Sequence, residues 1–290
     1  MRRLVTLIVA AAIVAGCGKI EPKHEVDSSP APALDSNLAA ALSQPEKATS
    51  LTFEDTSELE RLPAELWTLT NLRELNLSCP ENLKQVPPEI GRLRLLEKLV
   101  FDCGNGESMN ISLPEEIAVL KNLTVLRLYG AMDQREAGQN TSRRAEFKGL
   151  PEAVRKLTTL KELDLGRNGL QFVPPQIASL ENLEQLDLSF NEIHELPEFV
   201  GHLQYLRNLT LQGNGGVKFP ESMTKRRGLK VIAGNNGLDL KAQASLREKY
   251  PGLTFDFENE FDDCSANEPI GGYPEWQKTS CQVESPKTVK

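Results

Sequence analysis

Residues 180–205 read LENLEQLDLSFNEIHELPEFVGHLQY, and this stretch decides the fold. Its register is held by Leu183, Leu186, Leu188, Asn191, Ile193, Leu196 and Leu203. Related copies begin at Leu72, Leu96, Leu123, Leu160, Leu183, Leu206 and Leu229, so the steps are 24, 27, 37, 23, 23 and 23 residues. One such unit cannot bury its own apolar face, so the copies are predicted to stack into a solenoid.

Each copy is predicted to contribute one short strand, giving nine parallel strands. The strands are expected around Leu51, Leu75, Leu99, Leu126, Leu163, Leu186, Leu209, Val231 and Phe255. Between them lie segments such as LPAEL from Leu62 and LPEFV from Leu196. Proline suits the first position of a helical turn because its φ is fixed and it has no N–H to bond. The opposite side of the solenoid should therefore carry brief helices or 3₁₀ turns.

The recurring LPxxIxxLxxLxxLxLxxN cadence resembles the typical 23-residue class of leucine-rich repeats, over about residues 48–257. The resemblance implies an α/β solenoid, an arc with a concave parallel β-sheet and short helices or 3₁₀ turns on the convex side. It also implies that Asn168, Asn191 and Asn214 bond backbone groups of neighbouring turns. Other copies have Pro80, Gly104, Ala131 and Gly237 in that place, and those turns should be closed differently.

The first residues have the pattern of an export signal, with Arg2 and Arg3 before an apolar run. That run is shorter than the roughly 20 residues that span a bilayer. Val14-Ala15-Gly16-Cys17 resembles the lipobox of bacterial lipoproteins, which implies a signal peptide over 1–16 and lipidation of Cys17. Gly18 favours the outer membrane of the cell envelope in this family, with the periplasmic or surface-facing side left open. The alternative is an ordinary secreted protein.

The segments around the repeats have compositions of their own. Residues 17–33 are polar and proline-bearing, so they are predicted to be a flexible tether. Residues 34–47 should form an N-terminal capping helix, begun by Asp35 or Ser36, although a partner-binding helix is the alternative. An insertion loop at 129–149 is either a contact loop or a tolerated excursion. Residues 258–290 are predicted to be a disulfide-tied cap and tail.

Four cysteines remain once Cys17 carries lipid, and an exported protein meets an oxidising compartment. Cys79 and Cys103 each lie seven residues after the first leucine of adjacent copies. Stacked strands are about 4.8 Å apart, a spacing that a disulfide tolerates. The prediction is Cys79 to Cys103 and hence Cys264 to Cys281, against two free thiols for the first pair. No histidine completes a metal site with either pair.

The concave face can be read from the strands, because alternate side chains point away from the leucine core. The candidate partner-binding residues on it are Arg127, Tyr129, Glu162, Asp164 and Asp187. Arginine and tyrosine supply binding anchors, and carboxylates steer a cationic partner. In the last copy the 23-residue step places Val231 and Ala233 on this face as well. The alternative is an ordinary solvated sheet face.

Several classes of function are excluded by composition and motif. The mature chain has a formal charge of −10, from 31 basic and 41 acidic residues, and shows no basic cluster for nucleic acid. His194-Glu195 lacks the second histidine of a zinc-protease motif. An open sheet is also expected to exclude no water and to shift no carboxyl pKa strongly. We therefore predict no catalytic residue, no metal and no cofactor.

The sequence favours a monomeric, membrane-anchored repeat protein that binds a protein partner through its concave face. The alternative is a structural envelope lipoprotein that contacts glycan or peptidoglycan. Glycan binding would favour several aromatic platforms on the concave face, and only Tyr129 offers one. An enzyme ranks third.

Overall fold

Nine short strands form one parallel sheet in the computed structural model, which describes residues 35–53, 56, 59–78, 80, 82–102, 111–132 and 150–257. The strands pair in chain order, each with the next. They are β1 Ser50–Phe53, β2 Glu74–Ser78, β3 Lys98–Asp102, β4 Val125–Tyr129, β5 Glu162–Asp164, β6 Gln185–Asp187, β7 Asn208–Thr210, β8 Leu229–Ile232 and β9 Leu253–Asp256. The predicted solenoid with nine parallel strands is confirmed.

The leucines of successive strands stack directly on one another. Leu99 pairs with Leu126, which pairs with Leu163, and the register continues to Leu186 and Leu209. These side chains are buried in a single core that runs through the repeats. Each coil removes the apolar surface of its neighbours from water, which is the main stabilisation available to a unit of this size.

The last repeat is one residue shorter than the sequence spacing indicates. Leu209 pairs with Val231 and Thr210 with Ile232. Val231 and Ala233 are therefore inside, 0% and 2% exposed, and the prediction that they lie on the concave face is wrong. Ile232 takes the concave position instead. The leucine count could not detect this shift, because Leu229 keeps the 23-residue step from Leu206 while the strand after it moves back by one.

An asparagine ladder closes the turns that follow β5, β6 and β7, as predicted. Asn191 shows the pattern, because its Nδ2 donates to Leu165 O and Leu188 O, both at 2.9 Å. Its Oδ1 accepts from Asn168 N and Leu170 N, both at 3.0 Å. Each asparagine therefore bonds its own turn and the preceding one, and satisfies backbone groups that burial would otherwise leave without partners.

The fourth member of the ladder is Asn236, not Gly237. Its Oδ1 accepts from Asn214 N at 2.6 Å, and its Nδ2 donates to Leu211 O at 3.1 Å. The short last repeat explains this correction. In the copy with Ala131 the turn closes differently, as expected: the Ala131 N–H donates to Leu128 O at 3.2 Å.

Brief helices cover the convex side, as predicted. They are the 3₁₀ helices Ala64–Thr68, Pro88–Arg92, Glu115–Val119, Glu152–Lys156, Pro175–Ser179 and Glu221–Lys225, and the α-helix α2, Glu198–His202. The first proline of each segment lies at the N-cap, one residue earlier than expected, as at Pro151 with φ −61° and ψ 151°. The second proline of the two Pro-Pro segments, Pro88 and Pro175, takes the expected first position of its helix. An extended proline sets the entry of the chain, and its carbonyl accepts the first helical bond, from Val154 N at 3.0 Å.

A helix covers the N-terminal end of the sheet, in the segment where a capping helix was expected. This helix, α1, spans Ser36–Ser43 and buries Leu38 completely. Asp35 is its N-cap, because Oδ1 accepts from Asn37 N at 2.8 Å and from Leu38 N at 3.1 Å. The Asn37 side chain also donates to Thr52 O at 2.9 Å and so satisfies a carbonyl of the edge strand β1.

The C-terminal end of the described solenoid carries a helix that the sequence analysis missed. This helix, α3, spans Leu240–Lys249, and Asp239 caps it by accepting from Ala242 N at 2.7 Å. Behind it the Tyr250 hydroxyl donates to Phe219 O at 2.9 Å, and the Phe219 ring contacts Tyr250 and Phe255 with centroids 5.6 Å apart. The aromatic side chains bury apolar surface at this end of the described coils.

Several predicted features lie outside the described residues. They are the signal peptide, Cys17 and its tether, the disulfides Cys79–Cys103 and Cys264–Cys281, residues 133–149 of the insertion, and residues 258–290. They stay predictions.

Candidate functional site

The five predicted partner-binding residues meet on the concave face, where β4, β5 and β6 run side by side. Arg127, Asp164 and Asp187 occupy directly paired positions on the three strands. Glu162 begins β5, and Tyr129 ends β4. Because side chains on a strand alternate, the leucines between these residues point into the core and the polar groups share the other face.

The two aspartates are held by bonds to the backbone. Asp164 Oδ1 accepts from Gly166 N at 2.9 Å, and Asp187 Oδ1 accepts from Ser189 N at 2.8 Å. Each bond joins a side chain to the N–H two residues later, which turns the chain out of the strand. The same bonds fix the carboxylates next to each other on adjacent strands.

The pKa of Asp164 is raised from 3.8 to about 7. Burial is the largest cause and the charge of Asp187 the second, while the Gly166 N–H and Arg127 act in the opposite direction. Burial also raises the pKa of Asp187. The expectation that an open sheet shifts no carboxyl pKa strongly is therefore wrong for Asp164. The reason is local: neighbouring side chains remove water from one carboxylate and the strand register places a like charge beside it.

Arg127 forms an ion pair with Glu162 on the next strand, through Nε and Oε1. The hydrogen bond to Glu162 raises the pKa of Arg127. Since the arginine side chain is 45% exposed, the pair is screened by water and contributes at most about 1 kcal/mol. Its effect is to hold a guanidinium at the edge of the acidic pair.

Tyr129 lies across the next strand over a glycine. A Cβ added to Gly166 would be 2.6 Å from Tyr129 Cδ2, and 3.0 Å from Ser189 Oγ. Burial raises the pKa of Tyr129, and the charges of Asp164, Asp187 and Asp102 act in the same direction, while Arg167 opposes them. The tyrosine is therefore half-buried on a surface dominated by carboxylates.

Sequence reasoning missed a second aromatic residue at this edge of the sheet, Phe190. It is 37% exposed, and its backbone is left-handed with φ 53°. A Cβ added to Gly213 would be 2.8 Å from Phe190 Cδ1, so this ring also lies over a glycine of the next repeat. The only signal in the sequence is that Gly130 and Gly213 occupy the corresponding position in other copies.

The comparisons with known proteins agree with this architecture. The family model "Leucine rich repeat" matches residues 158–215. The described unit is a leucine-rich-repeat solenoid. Among solved structures, an internalin from Listeria monocytogenes is similar at a TM-score of 0.51 and 17% identity, over 77% of this chain and 61% of its own. A leucine-rich-repeat protein from Leptospira interrogans is similar at a TM-score of 0.46 and 21% identity, over 77% of this chain and 70% of its own.

No curated protein sequence matches the chain. At 17% identity the internalin shows similarity of fold alone. Within the described parts of the leucine-rich-repeat unit, no helix has both the length and the apolar character needed to cross a bilayer. The same residues bring no three histidine, cysteine or acidic side chains together in a metal-binding arrangement.

Proposed function

We propose that this protein is a membrane-anchored leucine-rich-repeat scaffold that binds a protein partner through its concave face, as a monomer and without catalysis. The observation that carries the proposal is the clustering of Arg127, Tyr129, Glu162, Asp164 and Asp187 on three adjacent strands. A leucine-rich-repeat sheet offers an extended binding surface, and these side chains supply chemistry at its centre.

A protein fits this surface because the surface combines residues that anchor an interface with carboxylates that select the charge of the partner. Tyr129 and Arg127 are of the residue types that most often anchor protein interfaces. The half-buried carboxylates of Asp164 and Asp187 favour a cationic segment and disfavour an acidic one. Nucleic acid does not fit, since its phosphates would meet these carboxylates.

The acidic pair raises the question of catalysis, because a carboxyl with a pKa near 7 suits a general acid. Paired acids that cleave glycosidic bonds stand on either side of the scissile bond. Asp164 and Asp187 instead lie side by side at paired positions of adjacent strands, on one open face. A sugar could contact both from the same side only, which disfavours glycoside hydrolysis at this pair.

The anchor is supported by the sequence before the solenoid. The export signal over 1–16 and the lipobox-like Val14-Ala15-Gly16-Cys17 favour a lipid on Cys17. More than one acyl chain is needed for stable attachment. The proposed location is the bacterial cell envelope, at the outer membrane, with residues 17–33 as the tether.

The binding proposal is tested by site-specific photo-crosslinking in the native envelope, with the crosslinker at Thr210 on the concave face. A defined partner band should form in the wild type and disappear in Asp164→Lys/Asp187→Lys. The matched control is Glu89→Lys/Glu181→Lys, which makes the same charge change at two exposed positions outside the strands. Identical bands in all three proteins would overturn the concave-face proposal.

The anchor is tested separately with Cys17→Ala. Metabolic labelling with a radioactive fatty acid should mark the wild type and not the variant, and the variant should leave the membrane fraction. A wild type that takes up no label would contradict the anchor without bearing on the concave face.

A further inference from the structure

Two aromatic side chains at the end of the central strands are seated in the same way. Tyr129 lies over Gly166, and Phe190 lies over Gly213. Ser189 contacts the first seat and precedes Phe190, so the two seats are neighbours on the sheet. We call these two rings and their two glycines the aromatic platform. A side chain in place of either glycine would displace the ring from its seat, so the glycines are part of the platform.

The backbone of Phe190 is left-handed, a conformation that is unfavourable for phenylalanine. The corresponding positions of other repeats are also left-handed, at Gly130 (φ 63°), Arg167 (φ 61°), Gly213 (φ 71°) and Asn235 (φ 52°). Glycine and asparagine adopt this region readily, whereas a bulky side chain is strained there. Two of these five positions, Arg167 and Phe190, nevertheless hold a bulky residue, and both belong to the repeats that carry the aspartate pair. Strain of this kind is expected where a side chain serves contact rather than folding.

The charges around the platform are mostly negative. Asp102, Asp164 and Asp187 all act on the Tyr129 hydroxyl. Two cations face them: Arg127, which is paired with Glu162, and Arg167, which acts on Tyr129. The Asp164–Asp187 pair therefore lies close enough to Tyr129 to act on its hydroxyl, and Phe190 follows Asp187 by three residues.

Aromatic rings beside a pair of carboxylates favour a guanidinium as the ligand. A guanidinium is planar, so it stacks on an aromatic face while its N–H groups bond a carboxylate. An ammonium lacks the planar geometry, and a neutral apolar group would leave the carboxylates desolvated without a partner. Building on the proposed protein-binding function, we infer that the aromatic platform holds an arginine side chain of the partner, with its guanidinium between the rings and the Asp164–Asp187 pair.

The test uses the full chain in detergent and three probes: penta-arginine, penta-lysine and penta-citrulline. Citrulline keeps the planar shape of arginine and lacks its charge. Binding is measured by titration calorimetry at low ionic strength. Penta-arginine should bind the wild type at least about fivefold more tightly than either other peptide, the range expected for a partly desolvated cation–π contact.

The variants are chosen so that the repeat still folds. Phe190→Asn uses the residue that occupies the same left-handed position at 235, and Tyr129→Gln uses the residue found at 212 in the corresponding strand position. Each should weaken penta-arginine binding about fivefold and leave the circular dichroism spectrum unchanged. The matched control is Phe172→Ala, which removes a ring that is 78% exposed elsewhere on the repeats. It should bind like the wild type.

Equal affinity for the three peptides would overturn the inference. So would equal loss in Phe172→Ala and Phe190→Asn, since the ring contact would then be unspecific. The proposed function fails on a different result, identical crosslinked bands from Thr210 in the wild type and in both double variants. If Thr210 still crosslinks a partner while penta-arginine shows no preference, only the arginine inference is wrong.

Discussion

The first and second halves of the sheet differ in the length of their strands and in the side-chain bonds at the strand ends. Strands β2, β3 and β4 have five residues each, whereas β5, β6 and β7 have three. In the later repeats the regular strand ends earlier, although backbone bonds between coils continue beyond it, as from Leu165 N to Asp187 O at 2.9 Å. Side chains add further bonds in these repeats. Asp164 and Asp187 turn the chain, and Asn168, Asn191 and Asn214 close the ladder behind them.

The comparison shows why the candidate site lies where the two halves meet. Tyr129 comes from the last of the long strands, and the aspartates come from the first two short ones. The carboxylates that form the acidic pair are the same groups that end the strands. Their charge is therefore fixed in place by the fold, with no separate element to position it.

The largest loss of stability is expected for Asn191→Ala, which tests the side-chain bonds of the later repeats. The change removes two carbonyl partners at 2.9 Å and two N–H partners at 3.0 Å from a buried site. We expect a loss of about 3–5 kcal/mol in the free energy of unfolding, because buried backbone groups would lose their bonds. Urea denaturation measures it. Asn182→Ala, which removes one exposed bond to Thr158 O, should cost less than about 1 kcal/mol. Equal losses in the two variants would contradict the prediction that the buried asparagine ladder stabilises the fold more than an exposed asparagine does.

The second test uses pH and Asp164→Asn. Since the folded pKa of Asp164 is raised to about 7, from 3.8, the folded state holds the proton more tightly than the unfolded state. This carboxyl therefore reduces stability as pH rises from about 4 to about 7. Asparagine can still accept from Gly166 N without carrying charge. The variant should be more stable than the wild type by about 2–3 kcal/mol at pH 8, a value discounted for partial exposure, and nearly equal at pH 4.

Thermal unfolding of both proteins from pH 4 to pH 8 gives this difference directly. Asp187→Asn should change stability in the same direction, since burial raises the pKa of that carboxyl as well. A difference between wild type and Asp164→Asn that stays constant over the whole range would contradict the raised pKa.

The junction between the halves is tested by Gly166→Ala. The new methyl would meet Tyr129 Cδ2 at 2.6 Å, so the ring must move. Overpacking of this kind costs about 1–2 kcal/mol. Removing the ring as well, in Gly166→Ala/Tyr129→Ala, should recover most of the part that comes from the clash, and denaturation of the four proteins gives the coupling. Additive losses would mean that the glycine is not a seat for the ring.

The smallest effect is expected from the ion pairs, which both halves contain. Lys98 pairs with Glu74 at 2.5 Å in the first half, and Arg127 pairs with Glu162 at the junction. Lys98→Met and Arg127→Met should each change stability by less than about 1 kcal/mol, and by less still in 0.5 M salt. A larger loss in Arg127→Met alone would show that this guanidinium also offsets the charge of Asp164.

The sequence was sufficient to predict the repeat architecture, because the leucines recur with a regular period. Leu186 and Leu209 recur at the step that stacks coils, and no other arrangement buries them all. Asn191 was predictable as well, because the resemblance assigns that position a bonding role. The register of β8 was not predictable from the leucine count, since one missing residue after Leu229 changes which side chains face inward.

The candidate site was also predictable only in part. Alternation along the strands was enough to predict that Arg127, Tyr129 and Asp164 share a face. It gave no sign that Asp164 loses water, because that depends on side chains from neighbouring coils. Phe190 was missed for a related reason: its exposure follows from a left-handed backbone and from the glycine at 213.

The sequence by itself determined the solenoid, its inward leucines and the set of polar residues on the concave face, because burial imposes a period that can be counted along the chain. Only the tertiary structure decided how those polar residues act on one another. Desolvation, like-charge repulsion and the seating of a ring on a glycine are properties of groups from different repeats at atomic distances, and no spacing along one strand contains them.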